Sequence, residues 1–391
     1  MRRRDEDAAV CWRDVARTAL AAKGAFRRPW LAEAFDAVDR ERFVPSRFWG
    51  LPARDDGRCP LLDREEDEER WRRAVWDTRR SAIVQMDDGA TAPDGPARGD
   101  FTSSVSALDI AYEKLCHLDL EPHHRVLEIG TASGYNTALL CERVGSARVA
   151  TVEVDPVLAA WGADNLKRAG YASVRAVCGD GLAGGPPDRA ALDPYDRVLS
   201  TASVRRIPTA WLAQTADGGV ILTPFGTAYA NAGLLKLRVR DGRAQGTFVG
   251  SAHYMWVRGQ RPRRVIDVPD GSRPRASPLD PAEVLQGSWQ QDFAIGLHVR
   301  DIDYTHRGDG ADRQVQLWDE SGTSAAVVSY DAWWRRGAVR VWGPRDLWRE
   351  AVTAYTWWRT HGRPDLPRFG LSVETDGTHS VWLDEPGRRV G

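Results

Sequence analysis

The middle of this 391-residue sequence predicts a doubly wound α/β fold, a mostly parallel sheet with helices on both faces. Three observations carry the prediction. From residue 101 onward, apolar strand-like runs alternate with amphipathic helical ones. One of those strands, "RVLEIG" (125–130), passes through a loop framed by Gly130 and Gly134 straight into a helical pattern, "YNTALLCERV" (135–144). The next strand ends at an acidic residue, Glu153, about 20 residues on, the separation at which a carboxylate meets ribose hydroxyls in nucleoside-binding sheets.

Residues 12 to 44 read as two helices. "WRDVARTALAAKG" stops at Gly24, and "PWLAEAFDAVDRERFVP" is ended by Pro45. Residues 53 to 78 are highly charged, and "DREEDEERWRRAVW" reads as a solvated helix. Residues 87 to 100 form a polar Gly/Pro/Asp loop. The alternating region then begins with helix "SVSALDIAYEKLCHL" and strand "RVLEIG". Helix 135–144, strand "RVATVEVD", helix "PVLAAWGADNLKRAG" and strand "VRAVCGDG" follow. Strand "YDRVLST", helix "PTAWLAQTA" and strand "VILTPFG" complete it, and "LLKLRVRDGRAQGTFVG" reads as a hairpin turning at Asp241-Gly242. Residues 258 to 280, rich in Arg and Pro, look like a linker. Beyond them lie short strand-like runs, "FAIGLHVRDID", "RQVQLWDE", "SAAVVSY" and "AVRVWG", and one helix, "RDLWREAVTAYTWWRTHG". The expected organisation is a helical segment over 1–78, a nucleoside-binding domain over 79–258 and an α+β domain over 259–391.

Bulk properties narrow the functional classes. A net charge of −1 argues against a nucleic-acid or membrane-surface binder. No apolar run is long enough to span a bilayer, and "MRRRDEDAAV" lacks the apolar core of a secretory signal, so a cytoplasmic location is expected. The five cysteines stand singly, which suits reduced thiols rather than a disulfide frame. Cys116, His117, His123 and His124 have no zinc-ligand spacing, and no metal is expected. His253, on a strand, reads as structural. Of 17 tryptophans, ten follow residue 255; core packing explains most, with one or two at a peptide-docking groove.

The loop gives the chemistry. Its glycines let the backbone approach a ligand without a Cβ in the way. No lysine or arginine follows it, so a pyrophosphate is poorly served. An uncharged loop with Glu128 beneath it suits a cationic amino-acid nucleoside, S-adenosylmethionine. Asp180, between Gly179 and Gly181, is placed to accept from an adenine amino group.

"VLEIGTASGYNTALL", "VEVD", "GDG" and "PYDRVLSTAS" together resemble the motif series of the protein-L-isoaspartate O-methyltransferases. So does "GAFRRPWLAEAFDAVDRERFVP", and "TSSVS" sits where that family carries its serine motif. The resemblance runs from about residue 12 to 258. It implies a Rossmann-like class I methyltransferase fold, with N-terminal helices and a C-terminal α+β extension. It also implies a site in which Glu128, Gly130, Thr131, Ser133, Gly134, Tyr135, Glu153, Val154, Gly179, Asp180, Gly181 and Thr201 hold S-adenosylmethionine, leaving S-adenosylhomocysteine as product. Ser103, with Ser104 beside it, aligns with the serine near the reacting carboxylate; Ser103 also reads as the cap of a helix starting near 104. Ser104 and Val105 depart from the family pattern after that serine, where proline is common.

The Trp-rich tail resembles that of the methyltransferases encoded with ATP-grasp ligases in bacterial peptide clusters. The expected substrate is then an aspartyl carboxylate of a ribosomally made, ligase-crosslinked peptide (a graspetide), the ester collapsing to an aspartimide. The expected partners are that precursor peptide and the ligase. A general isoaspartate repair enzyme shares the core but leaves the tail unexplained. An inactive nucleoside-binding docking protein is the rival of another class, and the intact Glu128, Gly130, Glu153 and Asp180 set argues against it.

Overall fold

The computed structural model describes residues 10–186, 194–263 and 271–390. Residues 264–270 of the expected linker lie outside the described residues. The chain divides into two compact units, one ending at Leu199 and the other beginning at Ser200.

The first unit opens with α1 (Trp12–Ala22) and α2 (Pro29–Ala37). The second helix stops short of the expected Pro45, because Val38 is extended and Asp39 caps a separate 3-10 turn over Arg40–Phe43. Four short strands then appear that the sequence pattern does not reveal: β1 (Arg47–Trp49), β2 (Leu61–Asp63), β3 (Ala82–Met86) and β4 (Phe101–Val105). They form an antiparallel sheet in the order β2-β1-β3-β4. Between them, α3 (Glu68–Val75) is capped by Asp67 and buries Trp71 and Val75, leaving its charges outward.

The helix expected from residue 104 begins later, as α4 (Leu108–His117). Ser103 and Ser104 are strand residues, paired with Gln85 and Ile83 of β3. Ser103 therefore caps no helix; Ala107 stands at that position, without a side-chain cap. The physical reason is Arg40. Its buried guanidinium hydrogen-bonds the carbonyls of Val105 and Ser106, at 3.4 and 2.8 Å, and so holds this backbone extended.

Strand β5 (Val126–Ile129), helix α5 (Tyr135–Val144), β6 (Val149–Glu153), α6 (Pro156–Arg168), β7 (Arg175–Cys178) and β8 (Tyr195–Ser200) follow in the expected alternation. Strands β5, β6 and β7 pair in parallel, and β8 flanks β5 on its other side. Every residue of β5 and β6 is buried, as an apolar run covered on both faces requires.

The second unit carries α7 (Thr209–Gln214) and three long strands, β9 (Thr215–Gly226), β10 (Asn231–Arg240) and β11 (Arg243–Ser251). The expected hairpin turns at Asp241 and Gly242, whose φ values of 50° and 71° match the twist of the flanking strands. Next come β12 (Arg273–Arg275), α8 (Pro281–Leu285) and α9 (Trp289–His298). Strands β13 (Ile302–Arg307), β14 (Gln314–Asp319), β15 (Ala325–Ser329) and β16 (Val339–Trp342) precede α10 (Leu347–Thr360), β17 (Phe369–Val373) and β18 (His379–Leu383). The strand-like "FAIGLHVRDID" is mostly helix. Ser288 caps α9, and Phe293, Ala294, Ile295 and Leu297 are buried along it; a short apolar run does not distinguish helix from strand.

The tail builds two different things. Strands β12 to β16 make a sheet of their own, in the order β12-β16-β15-β14-β13. The last two strands add onto the long hairpin, β17 against β11 and β18 against β17. Trp318, Trp342, Trp348, Trp358 and Trp382 are buried in this unit, whereas Trp334 is 61% exposed and Trp289 41%.

Candidate active site

The strand ends β5, β6 and β7 converge through their loops. Gly130 N–H donates to the Val152 carbonyl at 2.8 Å, and Gly179 N–H to the Glu153 carbonyl at 2.8 Å. A Cβ on Gly181 would stand 2.4 Å from Ile129, so glycine lets the loop after β7 lie over the end of β5. The glycine loop itself is clamped by α6. Gly134, at φ +84°, has no room for a Cβ beside Leu166 and the Gly162 carbonyl, and Asn165 donates to the Ser133 carbonyl at 3.0 Å. Ala132 takes φ +44°, and its N–H is held by Glu153 Oε2 at 2.9 Å.

Glu128 is fully buried. Asn136 donates to its Oε1 at 2.6 Å, and Thr151 to Oε2 at 2.9 Å, with Thr137 also donating to Oε2. Burial pushes this carboxyl up, and the three side-chain donors and Lys114 pull it back. Beside it, Asn136 Oδ1 is buried without a partner among the described residues. Glu153 is 8% exposed, and its Oε1 accepts from Asp155 N–H at 3.2 Å. Its carboxyl is likewise raised by burial, against the pull of the Ala132 and Asp155 amides. Asp180 is exposed; one oxygen caps the turn Gly181–Ala183 through Leu182 N–H. Val154, at 40%, presents an exposed apolar side chain next to Glu153.

Other expected contacts are turned inward. Tyr135 is 3% exposed, under Arg40 at 4.8 Å and against Phe43 and Tyr112. Thr131 shares a 2.8 Å hydrogen bond with Thr151, and Ser133 caps Tyr135 N–H. Thr201 belongs to the second unit.

The serine strand is tied to the nucleoside-type strand ends by residues that sequence reasoning missed. Thr102 Oγ1 donates to Gln85 Oε1 at 2.9 Å, and Gln85 Nε2 to Asp155 Oδ2 at 3.1 Å. Asp155 in turn caps α6 through Val157 and Leu158 and donates its own N–H to Glu153. Along β4, Ser103 and Val105 are buried, whereas Thr102 and Ser104 are half-buried. Ser104 is thus the more accessible of the paired serines. The Asp before a helix is an N-cap signature legible in "VDPV"; Gln85 gave no such signal.

The model of the protein-L-isoaspartate(D-aspartate) O-methyltransferase family matches residues 70–260. A protein-L-isoaspartate O-methyltransferase of Methanococcus maripaludis is 37% identical over 153 residues, which are 39% of this chain and 68% of that protein. The chain belongs to the protein-L-isoaspartate O-methyltransferase family. A second member, from Methanoculleus marisnigri, is 39% identical over 144 residues, 37% of this chain and 62% of its own length. The chain thus spans about 62% of the length of several curated relatives that it matches. A solved protein-L-isoaspartate O-methyltransferase structure overlays with a TM-score of 0.54 at 18% identity, covering 95% of this chain and all of that one. The fold is therefore the class I methyltransferase fold that the resemblance implied. Among the described residues no cluster could hold a metal ion, and no helix is long and apolar enough to cross a membrane.

Proposed function

We propose that this chain is an S-adenosylmethionine-dependent carboxyl O-methyltransferase acting on a peptide aspartyl or isoaspartyl side chain. The observation that carries the reading is the convergence of Gly130–Gly134, Glu153 and Asp180 at neighbouring strand ends, within a segment matched by the family model. The residues fit the cofactor. The partnerless buried Asn136 Oδ1 is an acceptor suited to an ammonium group. Asp180 keeps one carboxylate oxygen off the backbone for an exocyclic amine, and Val154 offers an apolar face for a ring.

S-adenosylmethionine, when bound, supplies an electrophilic methyl group on a sulfonium. The acceptor carboxylate is already ionised at neutral pH, so this chain needs no general base to prepare it. Its residues orient and desolvate: the loop positions one partner, and β4 positions the other. We assign Ser104 the hydrogen bond that aims one acceptor oxygen, with Ser103 behind it in the sheet.

The finer proposal is that the acceptor is an aspartate of a ribosomally made peptide already crosslinked by an ATP-grasp ligase. A backbone nitrogen then attacks the ester carbonyl, methanol leaves, and an aspartimide ring closes. The support is the tail, which lies beyond the matched residues and adds its own five-stranded sheet. General isoaspartyl repair is the second reading, favoured by the names of the relatives.

Single-turnover methyl transfer to an isoaspartyl peptide, at saturating S-adenosylmethionine, tests the site. Ser104→Ala lowers the rate about ten-fold, the worth of one orienting hydrogen bond, with cofactor affinity unchanged. Ser103→Ala has the smaller effect. The reverse order moves the role to Ser103. Transfer untouched in both variants removes the serine strand from the acceptor site.

A further inference from the structure

The second unit contains a cleft of about 340 Å³ that the proposed chemistry does not use. Its lining combines Arg205 and Arg206, which precede α7, with Arg300, which follows α9, and with Asp376 and His379 from the β17–β18 turn. Glu320 and Asp301 also border it.

The three arginines and three carboxylates of this lining balance in number, but they are not all paired with one another. Glu320 is paired with Arg205, and Asp301 with Arg345 from outside the cleft. Asp376 is turned onto the Thr378 amide at 2.8 Å. Arg206 is exposed; among the described residues its guanidinium makes no hydrogen bond, and its charge acts on the Glu320 carboxylate. Arg300 is half-buried, and its one side-chain hydrogen bond runs from Nε to the Leu297 carbonyl at 3.4 Å, which leaves its two terminal nitrogens unengaged. Arg206 makes the Arg300 charge costlier than burial alone does, so the two cations lie close enough to repel one another. His379 accepts the Ile207 N–H on Nε2 at 3.2 Å, which places the proton of the neutral ring on Nδ1 as a further donor. The cleft thus offers two guanidinium groups and an imidazole N–H, with the carboxylates of Asp301, Glu320 and Asp376 at its border.

We propose that this cleft binds an acidic side chain of a peptide, its carboxylate held between Arg206 and Arg300. Arginine pairs recognise carboxylates and phosphates alike through paired N–H donors. The lining carries three arginines and three carboxylates, Asp301, Glu320 and Asp376, and so has no positive surplus; a monoanion suits it better than a dianion. The volume lies at the low end for ligand sites and suits one or two residues rather than a nucleotide. Arg335, Arg336 and Arg340 are further arginines of the tail. In the structure, Arg340 lies over the Trp342 ring at 5.7 Å, and none of the three borders this cleft. The identity of the peptide as a methylation substrate rests on the proposed function; binding itself does not.

The test is fluorescence anisotropy on the full chain at low salt, without methyl donor. The probe is a dye-labelled, C-terminally amidated Gly/Asp hexapeptide. Its Asn counterpart and its phosphoserine counterpart are the controls. The Asp peptide binds, the Asn peptide binds at least about ten-fold more weakly, and Arg206→Ala costs about ten-fold, as loss of a charge-assisted bond does. Arg300→Ala costs at least as much, and Arg300→Lys restores part of the affinity; melting curves confirm that the Arg300 variants are folded. Equal binding of the Asn peptide, or unchanged binding in Arg206→Ala and a folded Arg300→Ala, overturns the proposal. Tighter binding of the phosphoserine peptide replaces the carboxylate by a phosphate and also overturns it. A chain that binds the Asp peptide but transfers no methyl group sinks the proposed activity and leaves the cleft standing.

Discussion

Glu128→Ala lowers the stability of the first unit by about 3 kcal/mol or more, because it takes the shared acceptor from Asn136, Thr137 and Thr151 in a buried site. Asn136, Thr137 and Thr151 all spend their hydrogen bonds on this carboxylate, and Lys114 is buried nearby as its counter-charge. Glu128→Gln is milder. The introduced amide keeps an oxygen for the two threonines and turns its NH2 toward Asn136, whose amide can flip to present its partnerless oxygen. Urea melts of the two variants check this ordering. Equal and small losses would show that the carboxylate is not the keystone of the loop. Because the loop rests on it, Glu128→Ala also loses cofactor binding without Glu128 having to touch the cofactor.

Asp292→Asn has the opposite sign and a pH signature. Asp292 sits on α9 with Oδ1 buried and without a partner among the described residues, near Tyr229, Tyr304 and Tyr330, and burial pushes its carboxyl up to about 7. The folded protein therefore holds a proton there that the unfolded chain has released above pH 3.8. Folded stability falls as pH rises from about 4 to 7, at up to about 4 kcal/mol, reduced to about 2 by the site's partial access to water. His298 and His379, pushed down to about 4 by burial, act the other way: their contribution is complete above pH 6.5 and is lost as pH falls toward 4. Asp292→Asn removes only the first effect. Thermal melts should show the variant and the parent alike near pH 3.5, with the variant more stable by about 2 kcal/mol at pH 8. A difference that does not change with pH would mean that Asp292 is ionised in the folded protein.

Where the signal was local, the sequence was legible. Gly130 and Gly134 both take positive φ, and a glycine before a helix announces that without any partner. The buried runs of β5 and β6 and the Asp241-Gly242 turn are equally local. What was missed depends on distant partners. The extended state of Ser103 and Ser104 is imposed by Gln85, Ile83 and the buried Arg40, none of which "TSSVS" reveals. Strand β17 exists because Phe369–Val373 finds the edge of β11, more than a hundred residues earlier. At the candidate site, Glu128 was legible as important, but not why. Its third donor, Thr151, arrives from the neighbouring strand, and only the parallel register of β5 and β6 brings it there. The Arg206–Arg300 cleft was invisible for the same reason, since its lining comes from five separate stretches of chain.

The central claim, transfer of a methyl group to a carboxylate, is tested most directly by the chemistry of the product. The full chain is incubated with methyl-labelled S-adenosylmethionine and, separately, an aspartyl peptide crosslinked by its ligase, the same peptide uncrosslinked, and a plain isoaspartyl peptide. Label that is released as methanol by mild base is an ester. The account predicts base-labile label on at least one of the three, with strong preference for the crosslinked peptide. Preference for the plain isoaspartyl peptide would return the chain to general repair. Base-stable label, or none on any peptide while the cofactor is bound, would contradict carboxyl methylation itself.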